Sequence, residues 1–555
     1  MEALMSNTQV THDVNLNNAR SESNVAINPN QPMQIVCGSK KFRDIHTYDF
    51  TLATAYSVDG GYSWHNSSDL QLQGGTVLTD PALAWDDLGG VYLVGLLGNN
   101  PPTFDTVGIV IYKSSDGGQT WGAPRLIHSS AGDDKQWAAG DANPTSPYRG
   151  RVYAVWDDGA DMRFARTLDH GVSWVGAGTG PTPAGTVLVS DSFSPDIRVA
   201  ENGDIYIVWI AGSEIKMIVS TNGGDSFSAA PSPATGVTTL GQGLPAPNGW
   251  PVFTGGSFRV LTIPSMCVHK KQIVVAWADF RQNVSRIYCA VSHNSGGNWL
   301  TGSSGKPLLA GPLPASLQHF HPQMAVDSSG RIGCAFYEFG PKPATPLIDV
   351  VIAQSIDGGN SFDAAVVTDQ PWDPSVDAPW SHGNSNVTFI GDYFGLDANP
   401  QGFHPVWTDT RTGIQELWTD IVHALPAFSI PPGLYGQVAQ ILAGIIQDGG
   451  GIETVGGHII HVPPWGPEVD ILVGVAIQRI ATLVSNPAGI EIQRSAMAMI
   501  AHVAQREVQR LAREQHGELS GRQAMTRPSL IMPAPDAGER SPETARSPEA
   551  QEAGR

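Results

Sequence analysis

Acidic, basic and aromatic side chains recur at short spacing where several apolar runs of this sequence end. Two runs close with the pattern Trp-x-Asp-x-Arg, at residues 277–281 and 407–411, and another reaches Lys-Phe-Arg-Asp at residues 41–44. Carboxylates exchange protons, a guanidinium group binds an anion through two parallel hydrogen bonds, and aromatic rings stack on flat apolar faces. Together these groups suit a site for a hydroxyl-rich ligand such as a carbohydrate.

Other candidate groups lie at the starts of further apolar runs, and Glu338 ends one more. Those at the starts are Asp80, Asp134, Lys135, Trp137, Asp196, His321, Asp392 and Tyr393. An alternative for the Trp-x-Asp-x-Arg pattern is a salt bridge repeated for structural reasons. The sequence has no C-x-x-C spacing and no EF-hand-like loop, so we predict neither a metal nor a cofactor. A hard cation held by converging carboxylates is the alternative. The four cysteines are predicted to be buried free thiols.

The structural elements that would position these groups are indicated by a short sequence motif, here called the phrase, which occurs six times. It combines Ser or Thr, then Asp or Asn, then glycine and a closing aromatic, as in Ser-Val-Asp-Gly-Gly-Tyr-Ser-Trp at residues 57–64. The Asp or Asn oxygen can accept backbone N–H bonds and glycine can take positive φ, so each copy predicts a turn with a structural role. The third-position residues are Asp59, Asp116, Asp169, Asn222, Asn294 and Asp357.

The spacing of this phrase predicts the architecture. Successive copies lie from 53 positions apart (169 to 222) to 72 positions apart (222 to 294), which suits a four-stranded propeller blade with a long loop. Alternating, β-branched runs precede each copy, as strands require. The phrases resemble Asp boxes (BNR repeats), which are typical of sialidases and related bacterial β-propeller proteins, over residues 24–424. The resemblance implies an all-β Asp-box β-propeller.

The number of blades follows from the ends of the repeat. After the sixth phrase, residues 389–396, 404–408 and 415–422 form three more predicted strands without a phrase. An alternating segment at residues 9–15 lacks a blade of its own, and we predict that it supplies the missing outer strand. This closure gives seven blades. Six is the alternative, because sialidases have six.

The resemblance also implies roles for individual residues. Sialidases hold the sugar carboxylate with three arginines, attack with a tyrosine activated by a glutamate, and use an aspartate as acid and base. In this sequence the implied clamp is Arg43, Arg281 and Arg411. The implied nucleophile is Tyr393 with Glu338 as its base and Asp80 as the acid, and Asp279, Asp409 and Trp137 are implied to complete the substrate face. The Ile-Pro that follows the family's first arginine is missing after Arg43, and residues 258–264 carry only an interrupted version of that motif.

Three functions are compatible with these patterns. The leading prediction is a glycoside hydrolase resembling exo-α-sialidases, which removes a terminal sugar, including an acidic one, from glycoconjugates. The first alternative is a non-catalytic, lectin-like propeller, favoured by seven blades and by the missing Ile-Pro. The second alternative is a protein-interaction scaffold.

Composition indicates where the regions of the chain begin and end, and net charge argues against some classes of partner. It has 555 residues and a formal net charge of −20, which argues against nucleic acid and anionic membranes as main partners. We predict a propeller at residues 1–425, a helical region at 426–516 that is a candidate for homo-oligomer formation, and a disordered tail at 517–555. We expect no secretory signal and no transmembrane segment, and localisation in the cytoplasm or export by a signal-independent route both stay open.

Overall fold

The first strands of seven antiparallel sheets contact one another in a closed ring, so the sheets are the blades of a β-propeller. The computed structural model describes residues 7–311, 313–341 and 345–423. Within each blade the first three strands follow one another outward from the ring in chain order. The prediction of a seven-bladed, all-β propeller is confirmed. The predicted helical region and tail, at residues 426–516 and 517–555, lie outside the described residues.

Blades one to four follow the predicted four-strand unit. Blade one has strands Arg20–Ile27, Ile35–Asp44, Asp49–Ser57 and His65–Asn66. Blade two has Val77–Trp85, Val91–Asn99, Asp105–Ser114 and Arg125–His128. Blade three has Asp133–Gly140, Val152–Asp158, Asp161–Thr167 and Thr186–Ser190. Blade four has Phe193–Val199, Ile205–Ala211, Glu214–Ser220, Ser228–Ala229 and the extra edge strand Ala234–Thr235.

Blades five to seven complete the ring. Blade five has strands Ser265–His269, Gln272–Asp279, Arg286–Ser292 and Lys306–Pro307. Blade six has Gln318–Val326, Ile332–Pro341, Pro346–Ser355 and Asp363–Val366. Blade seven has Gly395–Asn399, Gly402–Asp409 and Glu416–Thr419, with Val422–His423 at one side. Outside the blades, the described residues form the hairpin Trp380–Ser381 with Asn384–Thr388 and three short helices, Leu16–Asn18, Leu240–Gly243 and Pro247–Gly249.

The N-terminal segment closes the ring as predicted, but with a shorter strand. Thr8–Gln9 pairs antiparallel with the third strand of blade seven, with Thr8 opposite Thr419 and Gln9 opposite Trp418. The sequence predicted a strand over residues 9–15. The ladder ends early because the Glu416 carboxylate accepts hydrogen bonds from the Thr11 hydroxyl and the Asp13 amide, which turns the chain away from the sheet.

The six repeated phrases fold into turns with one hydrogen-bond pattern. In the first, the Ser57 hydroxyl donates to Asp59 (2.8 Å) and accepts from the Gly61 amide (2.9 Å), while the Ser63 amide donates to Asp59 (3.0 Å). The other five repeat these three bonds. The turns follow the third strands, at the opposite end of each blade from the start of its first strand. Their membership of the Asp-box family stays a resemblance.

Two further observations concern the cysteines and the helices of the described residues. All four cysteines are buried free thiols, as predicted. Among the described residues, no helix is long and apolar enough to span a membrane.

Candidate functional site

Five of the seven first strands carry a bulge at an equivalent position, and each bulge holds a non-glycine residue with positive φ. These φ values run from 49° to 55°, a region that side chains with a Cβ seldom adopt. A bulge of this kind changes the direction in which one side chain points. Its backbone conformation is unfavourable in free energy, so it persists only because the contacts of the surrounding sheet stabilise it. The five residues are Glu22, Asp80, Lys135, Ser194 and His321.

Side chains from this level of the ring meet across the propeller. The Lys135 ammonium of blade three lies 2.5 Å from the carboxylate of Asp392, which precedes blade seven, and 4.0 Å from Asp80 of blade two. The Arg259 guanidinium donates two parallel bonds to Asp392, at 3.0 and 2.8 Å. We use the name central cluster for Glu22, Lys40, Asp80, Lys135, Arg259 and Asp392.

The remaining pair of the cluster lies in blade one. Lys40 and Glu22 are both buried, with their charged atoms 2.8 Å apart. The Thr79 hydroxyl lies between the two carboxyl groups of Glu22 and Asp80, 3.3 Å from the first and 2.7 Å from the second. Glu22 and Asp80 are therefore neighbours in one polar network.

The environments of these neighbouring carboxyl groups differ. Burial, together with the charge of Asp80, raises the pKa of Glu22 to about 7 against the attraction of Lys40. Burial also acts to raise the pKa of Asp80, but the ammonium groups of Lys135 and Lys40 outweigh it, so this pKa lies below its ordinary value. At neutral pH, Glu22 therefore holds its proton in about half of the molecules, whereas Asp80 is ionised.

Several buried polar atoms around the cluster have no hydrogen-bond partner among the described residues. They include both ring nitrogens of His321, the Tyr393 hydroxyl, Oε1 of Glu22 and Oε1 of Gln136. Burial lowers the pKa of His321 to about 3, so its ring is neutral. An unsatisfied buried polar group costs roughly 1–3 kcal/mol, so these groups need partners that ordered water or a bound ligand can supply.

Aromatic residues and two loops surround the cluster. The Trp250 ring lies 4.3 Å from the Arg259 guanidinium and stacks on His382, with centroids 5.3 Å apart. Trp137 meets the Tyr393 ring edge-on at 5.4 Å. The loop that carries Trp250 and Arg259 is bonded to the hairpin through the Arg259 amide and the Thr388 carbonyl, so these two segments cover the cluster together.

Some of the residues predicted from the sequence lie at the central cluster, and others are paired with residues outside it. Asp80 belongs to the central cluster. The Tyr393 hydroxyl is near enough to the cluster for its pKa to be raised by four carboxyl groups, those of Asp80, Glu22, Asp392 and Asp134. Trp137 packs on Tyr393. Glu338, the predicted base, is instead hydrogen-bonded to His319 at 3.0 Å.

The three predicted clamp arginines are each held near the end of their own second strand. Arg43 is paired with Asp49 across its hairpin, and Arg281 is paired with Asp279. Arg411 is paired with Asp409 and with Asp369, a residue between blades six and seven. These contacts do not bring the three guanidinium groups together, and their role in binding stays a prediction.

Three members of the cluster were missed by the sequence analysis: Glu22, Lys40 and Arg259. The sequence gives little sign of Glu22, because strand Arg20–Ile27 begins with the polar run Arg-Ser-Glu-Ser-Asn and its burial along the whole length is visible only in the structure. Arg259 belongs to the interrupted Phe-Arg motif of residues 258–264, which the repeat pattern places outside any blade.

No protein-family model and no curated protein sequence matches this chain. Among solved structures, a protein of unknown function from Dyadobacter fermentans is 13% identical over 62% of this chain and 97% of its own, with a TM-score of 0.38. A Hadza microbial sialidase is 12% identical over 73% of this chain and 66% of its own, with a TM-score of 0.40. A GH74 xyloglucanase from Xanthomonas campestris is 15% identical over 77% of this chain and 54% of its own, with a TM-score of 0.41.

Proposed function

We propose that this protein is a glycoside hydrolase and that the central cluster is its catalytic centre. One observation carries the proposal: Glu22 and Asp80 are adjacent buried carboxyl groups whose pKa values are moved in opposite directions. Hydrolysis of a glycosidic bond uses a carboxylic acid that gives a proton to the leaving oxygen and a carboxylate that acts at the anomeric carbon.

The proposed roles follow from the protonation states. Glu22 is the general acid, and Lys40 at 2.8 Å supports its carboxylate once the proton has left. Asp80 acts at the anomeric carbon, either as the nucleophile or through a water molecule. This assignment gives the acid role to Glu22 rather than to Asp80, to which the resemblance gave it.

Tyr393 is proposed to act as a neutral hydrogen-bonding group. Burial and four neighbouring carboxyl groups, of which Asp80 has the largest effect, raise the pKa of its phenol well above the ordinary value. Attack by Tyr393 would therefore require a base to take its proton. Its hydroxyl is free of a hydrogen-bond partner among the described residues and can bind a substrate hydroxyl or ring oxygen.

Access to the buried acid is a requirement of this proposal. Glu22 and Asp392 are fully buried, whereas Asp134 and His382 are exposed and Trp137 and Trp250 are half-buried. These aromatic rings offer planar faces to a sugar. We expect the hairpin that carries His382 to move when substrate enters, because it covers the cluster together with the Trp250 loop.

The proposal is tested with a panel of aryl glycosides, neutral and acidic, in both anomeric configurations. We expect the wild-type protein to release the aryl group from at least one of them, and Glu22→Gln to lose roughly 10²–10⁴-fold in kcat. The matched control is Glu214→Gln, on the third strand of blade four, which should retain wild-type activity. Sugar binding without any turnover would overturn the hydrolase proposal in favour of a carbohydrate-binding propeller.

A further inference from the structure

We propose, on the basis of the function proposed above, that the sugar bound at the central cluster is uncharged and that Asp392 excludes sugars bearing a carboxylate. Asp392 precedes blade seven and is fully buried. It holds two cations at once, Lys135 at 2.5 Å and Arg259 through two parallel bonds. The resemblance to sialidases implies the opposite arrangement, with cations free to bind an acidic sugar.

The first argument is the pairing of charge within the cluster. Its third cation, Lys40, lies 2.8 Å from the Glu22 carboxyl group, and the negative charge of Asp80 acts on it as well, including when Glu22 is protonated. An incoming carboxylate would therefore have to displace a buried carboxylate from a cation, and removing one partner of a buried ion pair is strongly unfavourable. The incoming carboxylate would also approach Asp80 and Asp134, whose negative charges act on the neighbouring Tyr393 hydroxyl and would repel a further anion there.

The second argument is the nature of the groups that remain available. Both His321 nitrogens, the Tyr393 hydroxyl and Oε1 of Gln136 are buried, uncharged and without hydrogen-bond partners among the described residues. A neutral imidazole and a phenol donate and accept single hydrogen bonds, and an amide oxygen accepts them. This set matches sugar hydroxyls, which are also donors and acceptors, and provides no unpaired charge for a carboxylate.

The inference is tested on pairs of aryl glycosides that differ only at C6, such as glucoside with glucuronide and galactoside with galacturonide, together with an aryl α-sialoside. We expect the hydroxymethyl member of the accepted pair to exceed its uronide by at least 100-fold in kcat/KM. Hydrolysis of a uronide or of the sialoside at a comparable rate would overturn the inference and leave the hydrolase proposal intact.

The same pairs separate this inference from the proposed function. Where no glycoside is hydrolysed, calorimetric titration with each neutral sugar and its uronic acid replaces the rate measurement. Binding of the neutral sugar alone supports the inference, although the hydrolase proposal fails. Binding of the uronic acid, or of neither sugar, overturns it.

A charge-removal variant tests the role of Asp392 directly. Asp392→Asn leaves Lys135 and Arg259 without their shared carboxylate, and we expect the ratio of uronide to neutral kcat/KM, or of their binding constants, to rise at least 10-fold. The matched control is Asp225→Asn, which removes the carboxylate 2.6 Å from the buried Arg166 at the fourth repeated turn, outside the central cluster, and should leave the ratio unchanged. An unchanged ratio in folded Asp392→Asn would contradict the assignment. If that variant does not fold, the wild-type selectivity decides the inference.

Discussion

Two carboxyl groups separated by one threonine hydroxyl differ in their protonation at neutral pH. Lys135 and Lys40 both act on Asp80 and keep it ionised, whereas full burial and the charge of Asp80 itself favour the protonated form of Glu22. Because each group influences the other, the difference is a property of the pair. The catalysis that we propose for this pair therefore depends on the proton held by Glu22.

The pH dependence of activity follows from that proton. With the pKa of Glu22 raised to about 7, the general acid is lost as pH rises through neutrality, and we expect kcat/KM to fall about tenfold per pH unit above pH 7. The measurement is a pH–rate profile on the accepted aryl glycoside. A profile that stays flat from pH 6 to pH 9 would show that Glu22 is not the acid.

Stability should depend on the same proton. The folded pKa lies above the ordinary value of 4.5, so between pH 4.5 and about 7 the folded protein holds a proton that the unfolded chain releases. The free energy of unfolding of wild type, relative to Glu22→Gln, should therefore decrease as pH rises through this window, by up to about 1.4 kcal/mol per pH unit.

Urea unfolding of both proteins at several pH values between 4.5 and 7.5 measures this difference. Burial also raises the pKa of Glu416 to about 7, but Glu416 is present in both proteins and its contribution cancels. A difference that is constant with pH, or that grows as pH rises, would show that the pKa of Glu22 is not raised in the folded protein.

At the scale of residues, the sequence could reveal only part of the site. Asp80 and Tyr393 were predicted because they open first strands, where the blades converge. The role of the clamp arginines stays a prediction, and in Trp-x-Asp-x-Arg the aspartate lies two positions from the arginine and pairs with it, as Asp279 does with Arg281. The partners of Arg259 and Lys135 meet only after the ring closes, so no local pattern marks them.

At the scale of elements, the blades are defined by turns whose polar partners are all local. In the second phrase, Asp116 accepts bonds from the Ser114 hydroxyl, the Thr120 amide and the Thr120 hydroxyl. Because these partners lie within four residues of Asp116, the sequence predicted the six turns correctly. The hairpin of residues 380–388 and the loop of Trp250 have no such local pattern, since they are held by contacts with distant segments, and they were not predicted.

A turn of this kind should contribute measurably to stability but not to catalysis. Asp116→Ala removes three hydrogen bonds from an exposed turn, and we expect the free energy of unfolding to fall by about 1–2 kcal/mol, since each bond contributes roughly 0.5–1.5 kcal/mol and water replaces part of that. Chemical denaturation together with the glycoside assay measures both properties. Asp69→Ala, at another exposed aspartate, is the control and should change neither. Loss of activity in folded Asp116→Ala would assign the turn a function beyond structure.

At the scale of the whole molecule, seven blades close through a strand from the other end of the chain. The sequence allowed this to be predicted because residues 9–15 alternate without a blade of their own while the last blade lacks its outer strand. It did not reveal where the strand ends, because that is decided by Glu416, which binds Thr11 and Asp13 from 403 or more positions away. Closure therefore depends on a few long-range contacts.

Removal of residues 1–11 tests this closure. The deletion eliminates the ladder of Thr8–Gln9 and the bonds from the Asn7 side chain to the Val367 carbonyl and to Asp420, and it leaves the edge of strand Glu416–Thr419 unpaired. With each lost hydrogen bond contributing roughly 1 kcal/mol, we expect a loss of about 3 kcal/mol or more and a lower Tm. A synthetic peptide spanning residues 7–13 should restore part of the loss, and a scrambled peptide should not. An unchanged Tm in the truncated protein would mean that blade seven is stable without its outer strand and that the ring does not rely on this closure.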